Sequence, residues 1–309
     1  MKSLKSMRGF SSRINRSNDW QDMLFRRGLV AMTAIGLWTG IPGRAAPPSA
    51  AETSPSAAEI QKLMHDAAWN QVHSMDDHTH RYQYVHVDVE PKNTRTTLEI
   101  STRQGIAARL IELNGKPPSR SECRHDLAQL ERLASSPRLR RSHLRSQESE
   151  MSRREELFRV LAEAFSFQYA GTDRETGWIR VRYRPNRSFR PRTRADAVLT
   201  GLAGTMWVDG SSRRIMKIEG HVIAPVSFGW GILAKIYPGG QYFMEQARLP
   251  TGDWRVATLQ VNLRGTIMLF KKLSVNMKEI YKSYREVPAD LTLAAAVHQL
   301  AQEPAGCPK

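Results

Sequence analysis

The chain has 309 residues, 40% hydrophobic and 25% charged, a composition that supports a globular core and excludes an intrinsically disordered protein. Its formal net charge is +16, and about +10 remains once residues 1–45, with eight Lys/Arg against two Asp/Glu, are set aside. Such a field selects anionic partners; for an exported chain these are acidic headgroups or lipopolysaccharide-like polymers and not nucleic acid.

Arg26 and Arg27 precede a run from Gly28 to Ile41 that carries no charge, the pattern of a secretory signal. At ~1.5 Å per residue this run reaches only roughly 21 Å, short of the roughly 30 Å hydrocarbon core, so a cleaved signal peptide over 1–45 is expected rather than a permanent span. Small residues after Pro42 offer cleavage at Ala45 or Ala46. Phe25 before the arginine pair, with no Lys following, favours the general export route over the twin-arginine one. No Cys directly follows the run, so no lipid anchor is expected, and the mature protein is expected to be soluble in the periplasm. Cys123 and Cys307 are the two cysteines, and an oxidising compartment would let them pair, although 183 intervening residues give no geometric assurance.

Residues 46–57 are Pro, Ala and Ser rich, a linker composition. Ile60, Leu63, Met64, Ala67, Ala68 and Val72 then recur at helical spacing behind Ser56, a candidate cap. From His80 the pattern turns to alternation, with Tyr82, Tyr84 and His86 on one parity and Val85, Val87 and Val89 on the other, up to Pro91-Lys92-Asn93. Strands over Thr96–Ser101 and Ala107–Leu113 complete a meander. Residues 119–167 read as a helical insertion with stripes at Leu127, Leu130 and Leu133 and at Leu157, Leu161 and Phe165. The weakly periodic segment between them, Ser135–Glu150, reads as a mobile connection. Beyond Tyr169 nearly everything alternates: WIRVRYRP forms a strand, and hairpins are expected about Asp209-Gly210 and Thr251-Gly252-Asp253. After residue 287 an Ala-rich helix and a Pro/Gly tail end the chain. One β-rich domain, 58–287, is the expected unit: a curved antiparallel sheet partly filled by helices, α+β but mainly β.

Several of these strands carry a recognisable pattern: Leu202-Ala203-Gly204 with Trp207 and Asp209, Gly229 to Lys235, Phe243 to Gln246, and Met268 to Lys271 with Tyr281 and Tyr284. Over roughly Arg81 to Arg285 the chain resembles a bacterial outer-membrane lipoprotein-sorting-protein-like group of the LolA-like (lipoprotein carrier) superfamily. The resemblance implies a half-open β-barrel whose helices cover an apolar cavity, a fold whose relatives shelter acyl chains or serve as envelope sensors. It brings no catalytic residues and no cofactor.

An acyl-chain site needs apolar side chains on the concave sheet face, since each buried methylene contributes about 0.8 kcal/mol. Met206, Val208, Ile218, Phe228, Trp230, Ile232, Tyr242, Met244, Val261 and Ile267 are the candidates, ordinary core packing being the alternative. The Gly-rich SFGWGILAKIYPGG reads either as a flap at a cavity mouth or as a bulged corner. Arg180, Arg182 and Arg184 alternate onto one strand face and could meet anionic headgroups; a solvated basic surface is the plainer reading. Asp76-Asp77-His78-Thr79-His80 invites a metal reading, with His86 of like parity, but no carboxylate has ligand spacing and no metal is expected. No Ser/His/Asp grouping or phosphate-cradling loop is present, so the expected function is non-enzymatic: a periplasmic carrier for a lipid or lipoprotein acyl chain, or, on the same fold, an envelope sensor that binds another protein.

Overall fold

The computed structural model describes residues 54–75, 79–229, 233–268 and 270–303. The signal peptide, most of the linker and the Pro/Gly tail expected from the sequence lie outside these residues.

Among the described residues twelve strands form one antiparallel sheet: β1 Arg81–Glu90, β2 Asn93–Thr102, β3 Gly105–Leu113, β4 Phe165–Thr172, β5 Ile179–Pro185, β6 Leu202–Asp209, β7 Arg214–Val222, β8 Val226–Phe228, β9 Ala234–Ile236, β10 Gln241–Arg248, β11 Trp254–Ile267 and β12 Lys271–Val287. The order is β3-β2-β1-β12-β11-β10-β7-β6-β5-β4, with β8 paired to β9 and β9 to β11 off this path. β3 and β4 are the two ends and do not pair with each other, so the sheet is open. This mainly β, α+β architecture is the one that alternation and resemblance imply. The expected meander and both hairpins are in place, with β6 and β7 joined about Asp209-Gly210 and β10 and β11 about Thr251–Asp253.

Among the described residues five helices accompany the sheet: α1 Ala57–Met75, α2 Arg120–Ser135, α3 Pro137–Ala164, α4 Arg194–Leu199 and α5 Leu293–Gln302. Ser56 caps α1 as expected, its hydroxyl accepting from the Glu59 amide at 3.2 Å while its own amide donates to Glu59 Oε2 at 2.7 Å. The helical insertion departs from its reading in two ways. Ser135–Glu150 is no mobile connection: the break is confined to Ser136, which caps α3 with Pro137 in its first turn. The insertion also ends at Ala164, not 167, because Phe165 and Phe167 already pair with Pro185 and Tyr183 of β5. The alternation did not reveal the short α4, although Thr193 and Asp196 form a capping box there.

At 28 residues α3 runs about 42 Å, long enough to bridge the open sheet. Near its N-terminal end His143 and Gln147 bond to the Ile106 main chain of edge strand β3. At its other end Leu161 and Ala164 enter the main apolar cluster, beside Phe165 of β4. That cluster holds one face of β4–β12 against α1 and α3. A second cluster, built on Ile100, Ala107, Leu130, Val287, Leu293 and Leu300, packs α2 and α5 against β2 and β3. Cys123, at the start of α2, is buried, and no cysteine among the described residues is free; Cys307 lies outside them.

Candidate functional site

Strand register aligns the candidate cavity residues across the sheet. Val181, Met206, Ile218 and Met244 are successive cross-strand partners on β5, β6, β7 and β10, and Met244 pairs onward with Leu259 of β11. The neighbouring row is Tyr183, Gly204, Gly220, Tyr242, Val261 and Met277. Two glycines in the middle of this row leave a depression that the Tyr183 side chain occupies: a Cβ on Gly220 would lie 2.1 Å from Tyr183 Oη. Burial pushes the Tyr242 hydroxyl up to about 12.

Met206, Val208, Ile218, Phe228, Met244, Val261 and Ile267 are all buried in one cluster, and Tyr242 packs against it; Trp230 and Ile232 lie outside the described residues. The described ends of the Gly-rich segment pair as β8 and β9, Val226 with Ile236 and Phe228 with Ala234. Ile60, Met64, Ala67 and Ala68 of α1 belong to the same cluster, the two alanines letting the helix approach closely. The cover is tied down by polar contacts at one end. Asn70 Nδ2 donates to the Ser212 and Arg213 carbonyls at 3.2 and 3.0 Å, Asp66 pairs with Arg213, and Gln246 Nε2 donates to Gln71 Oε1 at 3.0 Å.

The same face continues into a polar patch that the sequence reading did not single out. Along β12, Leu273 lies in the apolar cluster and Val275 and Met277 pack against it; two and four residues further, on the same parity, come Glu279 and Tyr281. Tyr281 Oη donates to Glu279 Oε2 at 2.7 Å, and the Tyr281 ring stacks on His86 with centroids 4.5 Å and planes 4° apart. His86 Nδ1 lies 2.9 Å from Glu99 Oε1, which also accepts from Thr97 Oγ1 at 2.9 Å. Asp88 is the cross-strand partner of Glu279, and among the described residues Asp88 Oδ1 and His86 Nε2 are buried without a hydrogen-bond partner.

Burial disfavours the His86 cation, but the hydrogen bond and charge of Glu99, backed by Glu279 and Asp88, outweigh it and hold the imidazole above its ordinary pKa. Burial also works against the Glu99 carboxylate, yet its bonds to His86, Thr97 and Tyr84 keep it below the usual range. Asp88 has no such partner: burial, then the charges of Glu279 and Glu90, push it up. Burial raises Tyr84 and Tyr281 well above the ordinary phenol value. Chemically the patch is a set of carboxylates, phenols and one imidazole at the end of an apolar trough. Tyr82, Tyr84 and His86 sharing one parity, and the spaced Tyr281 and Tyr284, were its sequence signal.

Arg180, Arg182 and Arg184 are exposed on the face opposite Val181 and Tyr183, turned away from the apolar cluster. A polar cleft of about 560 Å³ is lined by residues that include Gln61, Glu163, Asn186, Phe189, Arg190 and Arg192. Of the histidine motif, His78 lies outside the described residues and His80 Nδ1 contacts Glu286 Oε1 at 2.5 Å. No group of three His, Cys, Asp or Glu among the described residues is arranged to hold a metal.

No protein-family model and no curated protein sequence matches the chain. Among solved structures it is similar to a DUF1329 family protein from Desulfovibrio piger, 11% identical over 78% of this chain and 98% of that one, with a TM-score of 0.28. It is also similar to a domain from Vibrio parahaemolyticus described as an outer membrane lipoprotein-sorting protein, 10% identical over 80% of this chain and 100% of that one, with a TM-score of 0.26. At these scores the superpositions are loose, and the fold rests on this chain's own strand order.

Proposed function

We propose that this protein is a non-enzymatic carrier of the bacterial envelope, exported to the periplasm, that shelters the acyl chain of a lipid or lipoprotein between the sheet and its helical cover. One observation carries the reading: the methionine- and tyrosine-rich apolar face running across β5, β6, β7, β10 and β11 continues on β12 into the Glu279–Tyr281–His86–Glu99 patch. An amphiphile has the matching polarity, with a tail to lay along the apolar rows and a polar end to meet carboxylates, phenols and imidazole. Met64, Met206, Met244 and Met277 give both sheet and cover unbranched side chains that repack around different chains. The face is filled by α1 and the end of α3, so uptake requires the cover to shift. Arg180, Arg182 and Arg184, on the outer face, would meet acidic headgroups of the surrounding membrane. No described helix is long and apolar enough to cross a membrane.

The test is native mass spectrometry with lipid extraction on protein purified from an envelope fraction. A stoichiometric lipid is expected. A clean apo mass, together with no binding of a fluorescent fatty acid at micromolar concentration, overturns the carrier reading in favour of a sensor that uses the fold to bind another protein.

A further inference from the structure

One end of the sheet carries an unburied apolar tip. Seven large hydrophobic side chains are exposed among the described residues, and two of them, Met268 and Phe270, lie here; a third, Tyr237, sits further back, its amide donating to the Arg264 carbonyl at 2.8 Å. Phe270 is 88% exposed and Met268 57% exposed, both in the turn between β11 and β12. The tip projects because β11 outlasts β10: Asn262 pairs with Gln241 at the start of β10, while Gly265–Ile267 pair instead with the short β9. The Met268 amide donates to the Leu233 carbonyl at 3.0 Å, tying this turn to the β8–β9 pair.

The charge around the tip has one sign. Residues 220–244 and 254–278, which contain β8, β9 and the β11–β12 turn, include no Asp or Glu. Their cations nearest the turn are Lys235, Arg264, Lys271 and Lys272, and register places Lys235, Thr266 and Lys272 side by side. Lys271, Lys272 and Arg264 are exposed. A bare phenylalanine that heads a turn costs solubility, and a protein partner for it would not require that acidic residues be absent from fifty flanking positions. A bilayer interface does require it: apolar and aromatic side chains enter at headgroup depth, and lysines just behind them meet lipid phosphates.

We infer that the β11–β12 turn, through Met268 and Phe270 with Lys271 and Lys272 behind them, docks this protein onto an anionic lipid bilayer. The inference does not depend on the carrier reading: an envelope sensor could dock by the same tip. It differs from a general basic-surface attraction in requiring insertion of named apolar side chains.

Co-sedimentation with vesicles tests it, using the full chain and variants purified alike so that everything outside the tip is common. On phosphatidylethanolamine/phosphatidylglycerol vesicles, Phe270→Glu and the double variant Lys271→Glu/Lys272→Glu are each expected to weaken binding about tenfold or more. Phe270→Trp should retain binding, because it keeps an aromatic anchor. Vesicles of phosphatidylcholine alone should bind the wild type much more weakly, and added salt should reduce binding to the anionic ones. Equal sedimentation of Phe270→Glu and wild type overturns the inference, as does a wild type indifferent to vesicle charge. So does a concentration-dependent dimer that Phe270→Glu abolishes while no vesicle binding is seen, which would assign the tip to a second copy of the chain. Because Phe270 is exposed, unchanged thermal unfolding of the variants shows that lost binding is not lost folding.

Discussion

His86 and Glu99 face each other diagonally across β1 and β2, Nδ1 to Oε1 at 2.9 Å, and each shifts the other toward its charged form against the cost of burial. The histidine's pKa lies above its ordinary 6.5, so its stabilisation is fully present below about pH 6.5 and is lost as pH rises through the higher folded value. The glutamate's lies below 4.5, so its contribution is complete above about pH 4.5 and is lost as pH falls through the lower folded value. Asp88, raised by burial, works the other way: its ionisation costs stability as pH rises from about 3.8 through its higher folded value. Thermal unfolding followed across pH should therefore show greatest stability between roughly pH 4.5 and 6.5 and a decline above it. In His86→Gln that alkaline decline should shrink; an unchanged profile would mean the pair contributes nothing to it.

Among the described residues α3 holds the Ile106 main chain on its outer side: the amide donates to Gln147 Oε1 at 2.9 Å and the carbonyl faces His143 Nε2 at 2.8 Å. β3 is an edge strand, and these two side chains, one helical turn apart, cover groups that would otherwise invite another strand. Gln147→Ala should cost about 1–2 kcal/mol in urea unfolding and selectively accelerate hydrogen exchange at the Ile106 amide. Loss of stability without that local acceleration would point to helix propensity instead.

This docking also explains what could not be read from the sequence. The hydrophobic period identifies helices that bury apolar stripes, which is why Ile60–Val72 of α1 and the Leu157–Leu161 end of α3 were legible. The first half of α3 docks through a histidine and a glutamine, leaving Leu139 exposed, and a polar interface of that kind has no period to find. Strands fared better because each alternation is reinforced by a turn signal such as Asp209-Gly210. The apolar half of the candidate site was legible on the same grounds. Its polar half was not, since Glu99, Glu279 and His86 lie far apart in sequence and meet only through the β1–β2 and β1–β12 pairings.

Gly204 is fixed by backbone proximity. A Cβ there would sit 1.9 Å from the Glu219 carbonyl oxygen and 2.6 Å from Gly220 Cα, neither of which can move without parting β6 from β7. Gly204→Ala should destabilise by about 2 kcal/mol or more, measured by urea unfolding. Gly115→Ala gives a useful contrast: open space surrounds that position, but its φ of +71° charges a backbone penalty alone, expected at about 1 kcal/mol.

The pairing of Cys123 with Cys307 remains a sequence-based proposal with a direct check. Thiol alkylation of unfolded, unreduced protein should label neither cysteine, and alkylation after reduction should label both. Reduction should then lower stability by about 2–4 kcal/mol, because the bridge closes a long loop. Two labels without reductant would refute the bridge and leave the C-terminal tail untied.

The cover helix gives the carrier reading its sharpest consequence. Asp66 with Arg213, and Asn70 with the Ser212 and Arg213 carbonyls, fasten α1 to the β6–β7 turn, whereas Ile60, Met64, Ala67 and Ala68 hold it only by apolar contact. An entering acyl chain replaces those apolar contacts with its own but has nothing to offer the polar ones, so they set how readily the helix leaves the sheet. Asp66→Ala/Asn70→Ala should accelerate uptake of a fluorescent fatty acid several-fold in stopped-flow mixing while lowering overall stability by only about 1–2 kcal/mol. Met206→Glu, which puts a charge in the middle of the trough, should abolish uptake, and its folding can be judged separately by circular dichroism. If the first variant loosens the protein without changing the uptake rate, the ligand does not enter beneath α1.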